Sequence, residues 1–359
     1  MKSLKLRITV SALSILLVVT VAGKSVTARA GHPPRTETLT SQPVRCFALN
    51  GTGTQLAVCE YPIIGVLNLA TRHLSKIVTF KEVVDSIALS DDCRYVAAES
   101  WDAVHVWNVK TGKELQTPYA VNPTYVDRDT DLIVQSRTYH GLTFVGRSDM
   151  LAISVRTASA DNDIGSSKIV LWDTSANKEI NQIPLPFQVS GIASSSDGSV
   201  LVAGCLPEKV EIVRVASGTV TAFDLKPDIH SISCVGISSD HMSVIVGTTT
   251  GNCYLVSINQ MRILSKWSRG PGFISSAAFC NRNRTVVVSS TDSNDLKFYD
   301  ASRAKLIATV NEPLSPISQL VYVNGRDELL GEDSRFRVWR MISVVKSLNL
   351  SEGTRTGAP

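Results

Sequence analysis

The sequence predicts an all-β fold built from seven copies of one four-stranded antiparallel unit. Three observations predict it. Two independent sequence markers recur with a shared spacing of about 42 residues, a period typical of repeat architectures. Short apolar runs alternate with small polar turns, as half-buried strands do. Past residue 43 no long amphipathic helix is present, and Val, which suits a pleated half-buried surface, is among the dominant residues.

The first marker is apolar-x-x-apolar-x-apolar followed by a small polar turn. It begins at Val44 (VRCFALNGTG), Val84 (VDSIALSDDC), Tyr139 (YHGLTFVGRS, the weakest copy), Val189 (VSGIASSSDG), Ile232 (ISCVGISSDH), Ile274 (ISSAAFCNRN) and Ile317 (ISQLVYVNGR). The starts are 40, 55, 50, 43, 42 and 43 residues apart. The second marker is a β run closing on an aromatic or apolar residue and a polar one. Its endings are Leu67-Asn68, Trp107-Asn108, Trp172-Asp173, Val213-Arg214, Val256-Ser257, Tyr299-Asp300 and Trp339-Arg340. Each unit therefore reads as four strands. The second unit is the clearest, with strands at 87–90, 95–99, 104–109 and 114–116 and a Thr111-Gly112-Lys113 hairpin turn.

The stretches SWDAVHVWNVKTGKEL (100–115), KIVLWDTSANKEI (168–180) and DSRFRVWRM (333–341) resemble the WD40 repeat family of β-propellers, over residues 44–348. The chain is similar also to the YVTN and quinoprotein-like propellers. The resemblance implies a seven-bladed β-propeller of four-stranded antiparallel blades, whose closed ring leaves few open sheet edges. Several family features are missing. The Gly-His pair before the first strand is absent, Trp172-Asp173 is the one true Trp-Asp among the seven strand endings, and the family's turn Asp survives clearly at Asp102 and Asp333. The hydrogen-bonded tetrad of the family is thus incomplete in every blade, and apolar packing between blades must take its place. For ring closure, residues 344–348 are expected as the outer strand of blade seven, with a strand from 38–44 as the alternative.

The flanks read differently from the repeats. Residues 1–30 hold Lys2, Lys5, Arg7, Lys24 and Arg29 and no acid. Subtracting those five from 36 basic side chains leaves 31, against 32 acidic ones over residues 31–359. The basic excess lies in the leader and not on the folded part, which argues against a nucleic-acid role. The uncharged run 8–23 is shorter than the ~20 residues a membrane span requires and suits a signal peptide with a small-x-small site at Ala28-Arg29-Ala30, or an earlier one using Ala22 or Gly23. An uncleaved anchor is the alternative; either places the folded part outside the cytoplasm. The domain reading is a signal peptide at 1–30, a polar tether at 31–43, the propeller at 44–348 and a loose tail at 349–359, as a monomer.

Departures from the repeat are where function is sought. Blade three has two insertions, 118–140 ahead of its first strand and 157–167 between its second and third strands. In a propeller those two loops rise from the same face, which the resemblance makes the usual partner-binding face. They carry the candidate binding residues Tyr119, Tyr125, Arg128, Arg137, Tyr139 and His140 on the first and Asp161 and Asp163 on the second. Tyr and Arg are favoured at the centres of protein interfaces.

The sequence offers little chemistry. The six His have no metal-ligand spacing and the seven Cys form no CxxC, so no metal or cofactor is expected. Asp161-Asn162-Asp163 lacks the Gly and the distant Glu of a calcium loop. There is no GxSxG and no Walker loop, and Ser194-Ser195-Ser196 reads as a turn entrance, not a nucleophile constellation. His105 reads as a packing residue. Cys46 and Cys59 should lie opposite each other on paired strands, where a strained disulfide is conceivable. The sequons at Asn50 and Asn283 fall at blade turns and should be exposed, and a third begins at Asn349. The expectation is an exported, non-enzymatic interaction module with a protein partner. The alternative is a quinoprotein- or lactonase-type enzyme with a ligand in the central channel, where the nearby carboxylates are Asp85 and Asp228.

Overall fold

The computed structural model describes residues 34–350 apart from 41, 101–102, 116–123, 127–132, 136–138, 157–166, 207–208, 226–230, 271, 312–315, 324 and 349. The leader read at 1–30 and the tail residues 351–359 lie outside the described residues.

Strand β1 is Arg35–Thr38. Blade one is β2 (Phe47–Leu49), β3 (Gln55–Glu60), β4 (Ile63–Asn68) and β5 (Leu74–Thr79). Blade two is β6 (Val84–Leu89), β7 (Tyr95–Ser100) and β8 (Val104–Asn108), with Glu114 bridging Trp107 where the outer strand was expected. A hairpin follows, β9 (Thr124–Val126) and β10 (Ile133–Gln135). Blade three is β11 (Tyr139–Phe144), β12 (Met150–Arg156), β13 (Ser167–Asp173) and β14 (Lys178–Leu185). Blade four is β15 (Gln188–Ser194), β16 (Val200–Leu206), β17 (Lys209–Arg214) and β18 (Thr219–Asp224). Blade five is β19 (Ile232–Ile237), β20 (Ser243–Thr248), β21 (Asn252–Ser257) and β22 (Arg262–Ser268). Blade six is β23 (Ile274–Cys280), β24 (Thr285–Ser290), β25 (Ser293–Asp300) and β26 (Lys305–Val310). Blade seven takes β27 (Ile317–Val323), β28 (Glu328–Asp333) and β29 (Val338–Ile342) from the C-terminal end. The first marker thus marks the inner strands and the second closes the third strands.

Burial follows position within the blade. The second strands β7, β24 and β28 are buried at every residue, because blades pack on both of their faces. The outer strands β14 and β18 are mostly exposed. The core divides into seven apolar clusters, and each straddles one pair of neighbouring blades. Trp107 and Trp339, on third strands, are the largest fully buried side chains. The Trp172 and Trp339 indole N–H groups have no acceptor among the described residues, as the incomplete tetrad implies. Apolar contact between blades is therefore the main cohesive term around the ring.

Inner strands share one irregularity. In six blades the inner strand slips by one residue against the second strand, at Val84/Ser86, Tyr139/Leu142, Val189/Gly191, Ile232/Cys234, Ile274/Ser276 and Ile317/Gln319. Such bulges sharpen the local twist and re-aim the side chains that follow toward the ring axis.

Ring closure corrects the favoured expectation and follows its N-terminal alternative, with the strand at Arg35–Thr38 and not 38–44. The outer strand of blade seven is β1, antiparallel to β29 with Arg35 opposite Ile342 and Thr38 opposite Trp339. Residues Val344–Ser347 form a helical turn, α1, so the segment read as a tether supplies the strand and the C-terminal segment does not. Glu37 explains the choice. Its carboxylate pairs with Arg340 of β29 and with Arg72 of blade one, while the Arg340 guanidinium also donates to the Leu69 carbonyl at 3.2 Å. One carboxylate from the N-terminal strand therefore ties the last blade to the first.

Candidate functional site

Strand direction defines two faces. Loops entering the inner strands and loops between second and third strands share the upper face; the first-to-second and third-to-fourth turns share the lower one. In blade three Tyr139 at the start of β11 lies opposite Val155, and Arg156 lies opposite Ser167. Both insertions therefore attach at the upper end of the same sheet. Of the candidate residues, Tyr119, Arg128, Arg137, Asp161 and Asp163 lie outside the described residues. Tyr125 lies in β9 in register with Val134, and Tyr139 and His140 open β11 at the bulge.

The upper face shows a feature that sequence reading missed. Eight large apolar side chains are exposed among the described residues, and four of them, Tyr61, Val83, Phe273 and Phe336, stand on upper-face loops. Only Met242 stands on a lower-face turn. Each sits in a loop between marker segments, where no periodicity distinguishes an exposed aromatic from a buried one.

Upper-face loops are held by buried charge. The Asp333 carboxylate, fully buried, accepts the N–H groups of Arg335 and Arg337 at 3.0 and 3.1 Å and the Arg337 guanidinium at 2.8 Å. Arg269, 6% exposed, donates to Ser293 Oγ at 2.6 Å and to the Asp295 carbonyl at 2.8 Å. Asp102, the other surviving turn Asp, lies outside the described residues.

The lower face opens on the central cavity, about 680 Å³, lined by inner strands of all seven blades and their turns, including Asp91, Arg147, Ser196, Ser239, Gln319 and Tyr322. The carboxylate on this lining is Asp91, not Asp85, and Asp228 lies outside the described residues. Neighbouring turns bond to one another around the rim. Asn50 Nδ2 donates to the Asp91 carbonyl at 3.2 Å, Arg147 lies 3.8 Å from Asp91, and Gly146 N–H donates to Ser194 Oγ at 3.1 Å. Asn283 Oδ1 accepts Ser239 N–H at 3.0 Å.

One rim contact brings Ser, His and Asp together. His241 Nε2 lies 2.8 Å from Ser196 Oγ, and its Nδ1 lies 3.2 Å from Asp197 Oδ2. Ser196 and Asp197 are exposed, and the Asp197 carboxylate also accepts Ser195 Oγ at 2.7 Å and Ser199 Oγ at 2.9 Å. Those hydroxyl and backbone bonds hold Asp197 well below the usual carboxylate range. A nucleophile site needs an enclosed acyl pocket and a base oriented by a committed partner. The arrangement here is one more link in the chain of turn-to-turn contacts, joining blades four and five.

Other expectations resolve locally. His105 stacks on Trp107 at 5.6 Å, meets Phe80 edge-on at 4.7 Å and bonds Glu114 through Nδ1 at 2.6 Å, a packing role. Cys46 and Cys59 are buried free thiols facing each other, with Cys59 N–H donating to the Cys46 carbonyl at 3.2 Å. Asn50 is 3% exposed, which corrects the expectation of an accessible sequon. Among the described residues no group of three or more His, Cys, Asp or Glu could hold a metal, and no helix is long and apolar enough to cross a membrane.

Comparison with known proteins supports the fold. The chain is similar to the RRP9 WD40 repeats at TM-score 0.67 and 14% identity, over 87% of this chain and 99% of that one. It is similar to the Cps50 (Swd1) β-propeller domain of Myceliophteria thermophila at TM-score 0.66 and 14% identity, over 86% and 99%. It is similar also to U3-55K at TM-score 0.65 and 15% identity, over 87% and 100%. No family model and no curated protein sequence matches the chain. The protein is a seven-bladed β-propeller of four-stranded blades. The solved structures it resembles are WD40-repeat propellers.

Proposed function

We propose that this protein is an exported, non-enzymatic interaction module that captures a protein partner on its upper face, chiefly through the two blade-three insertions. The observation that carries the reading is their attachment at one end of one sheet. Two insertions attached at one end of one blade depart from the repeat, and long loops in a compact fold are commonly functional. Exposed Tyr61, Val83, Phe273 and Phe336 on the same face add apolar area suited to a partner. Export rests on the basic, apolar, small-residue pattern of 1–30.

The test replaces residues 118–137 with a short Gly-Ser linker, sparing β11. Partner capture from the protein's own extracytoplasmic fraction should be lost while the thermal midpoint stays within a few degrees. Undiminished capture would sink the proposal.

A further inference from the structure

A second surface stands on the upper face, away from blade three, where blades seven, one and two meet. Phe336, Tyr61 and Val83 are 46%, 58% and 44% exposed. Arg335, Arg45 and Lys81 are exposed beside them. Hydrogen bonds join the loops that carry them. Val44 N–H donates to the Phe336 carbonyl at 2.5 Å and Arg45 N–H to the Cys59 carbonyl at 3.1 Å. The Tyr61 hydroxyl donates to the Lys81 carbonyl at 3.2 Å, and Phe80 N–H to the Pro62 carbonyl at 2.7 Å.

Two properties of this surface point to a ligand. First, one of its apolar groups, Phe336, is held in place by its turn. Phe336 has φ 59°, a left-handed conformation that a bulky residue rarely adopts. The bonds of Phe336 N–H to the Asp333 carbonyl (2.8 Å) and of Arg335 N–H to the Asp333 carboxylate fix that turn. Second, three of its cations make no ion pair among the described residues, although the exposed carboxylate Glu82 stands between Lys81 and Val83 and Arg45 acts on the buried Glu332. The Glu82 carboxylate lies 3.9 Å from the His105 ring, and Arg337 and Asp333 form the ion pair of the region. Arg45, Lys81 and Arg335 make none among the described residues.

We propose that this surface binds an acidic peptide segment of a protein partner. Its apolar side chains cover Phe336, Tyr61 and Val83, and its carboxylates meet Arg335, Arg45 and Lys81. The proposal rests on the upper-face reading above and adds the chemistry of the partner. Exposed aromatics interleaved with Arg are the composition of interface anchors, and complementary charge sets orientation and approach. A nucleic acid would meet the cations, yet it has no side chain to cover Val83, and the chain beyond residue 30 has no basic excess.

The test uses the chain from residue 31 onward and fluorescence anisotropy. The probe is a short fluorescein-labelled peptide alternating glutamate with leucine and phenylalanine, compared with its lysine counterpart and with single-stranded RNA. The glutamate peptide should bind about tenfold more tightly than the lysine peptide, and more weakly as salt is raised. Joint Phe336→Ala and Tyr61→Ala replacement should cost about tenfold, as should joint Arg45→Glu and Arg335→Glu replacement. Circular dichroism and thermal midpoints identify any variant that fails to fold, and Lys81→Glu, on an exposed loop, then serves in its place. Removing residues 118–137 should leave this binding intact. The proposal is overturned if the lysine peptide binds equally, if RNA competes as well as the peptide, or if the variants bind as the parent does. Failure of the glutamate peptide to bind the parent chain also overturns it, and leaves the blade-three reading to its own deletion test.

Discussion

Glu211 lies in the middle of a third strand with no solvent exposure, accepting only the Cys205 thiol, at 3.2 Å. Its second oxygen has no partner among the described residues. Burial pushes its carboxyl up to about 7, and burial pushes Glu332 up to about 8. An acid raised above its unfolded value stabilises the fold when protonated. Its contribution is full below the unfolded value and is lost as pH rises through the folded one. Thermal stability should therefore fall as pH rises from the ordinary glutamate value of 4.5 to about 8, and Glu211→Gln should flatten that limb by on the order of 3 kcal/mol. An unchanged slope in calorimetry at several pH values would count against the assignment. Asn50 gives a second prediction at this scale. Its side chain donates to Thr52 Oγ1, Thr54 Oγ1 and the Asp91 carbonyl, and accepts Thr54 and Gln55 N–H, both at 2.9 Å. Asn50→Ala should cost about 1–3 kcal/mol in denaturant unfolding, because it strands buried donors and acceptors. The same bonds should keep Asn50 unglycosylated in a host with that machinery, which glycopeptide mass spectrometry would check.

At the scale of the element, β1 closes the ring through four backbone positions and one clasp. The Arg340 guanidinium, with Arg72 in support, holds the Glu37 carboxyl below its usual range. A lowered acid contributes above its unfolded value and loses that contribution as pH falls through the folded one. Glu37 and Glu211 thus oppose each other, and their summed contribution should peak near the ordinary glutamate value of 4.5. Removing residues 34–40 should lower the thermal midpoint far more than removing 31–33. Glu37→Gln should reproduce part of that loss at neutral pH and little of it in acid. Equal midpoints for the two truncations would show that β1 does not carry closure.

At the scale of the whole molecule, the two faces divide the work. The strand order places Arg35 at the lower end of blade seven and Thr38 at the upper, so the segment ahead of β1 leaves from the lower face. The insertions attach, and the exposed aromatics stand, at the opposite one. If the chain is exported as proposed, cleavage after Ala30 would spare β1, and the mature protein should have a mass beginning at Gly31. A purified mass still containing residues 1–30 would instead make this an anchored propeller, its upper face turned away from the bilayer.

Much of this was legible in the chain itself. Period and alternation fixed seven units, their inner strands and the ends of their third strands, because each unit must bury the same two faces against the same kind of neighbour. Position within a blade decides which side chains are buried, so Trp107 and Trp339 could be read as core from their place in the marker. Contacts between units were not legible. Closure by β1 instead of 344–348 depends on Glu37 meeting Arg340 across 303 positions of chain, and no local pattern encodes that distance. The same holds for Asn50 buried by its own turn, for His241 on Ser196, and for Phe336, Tyr61 and Val83 brought to one surface. Strand propensity and hydrophobic period act over a few residues and repeat faithfully. The pairing of one turn with the next is set by how the ring curves, and only the assembled ring decides it.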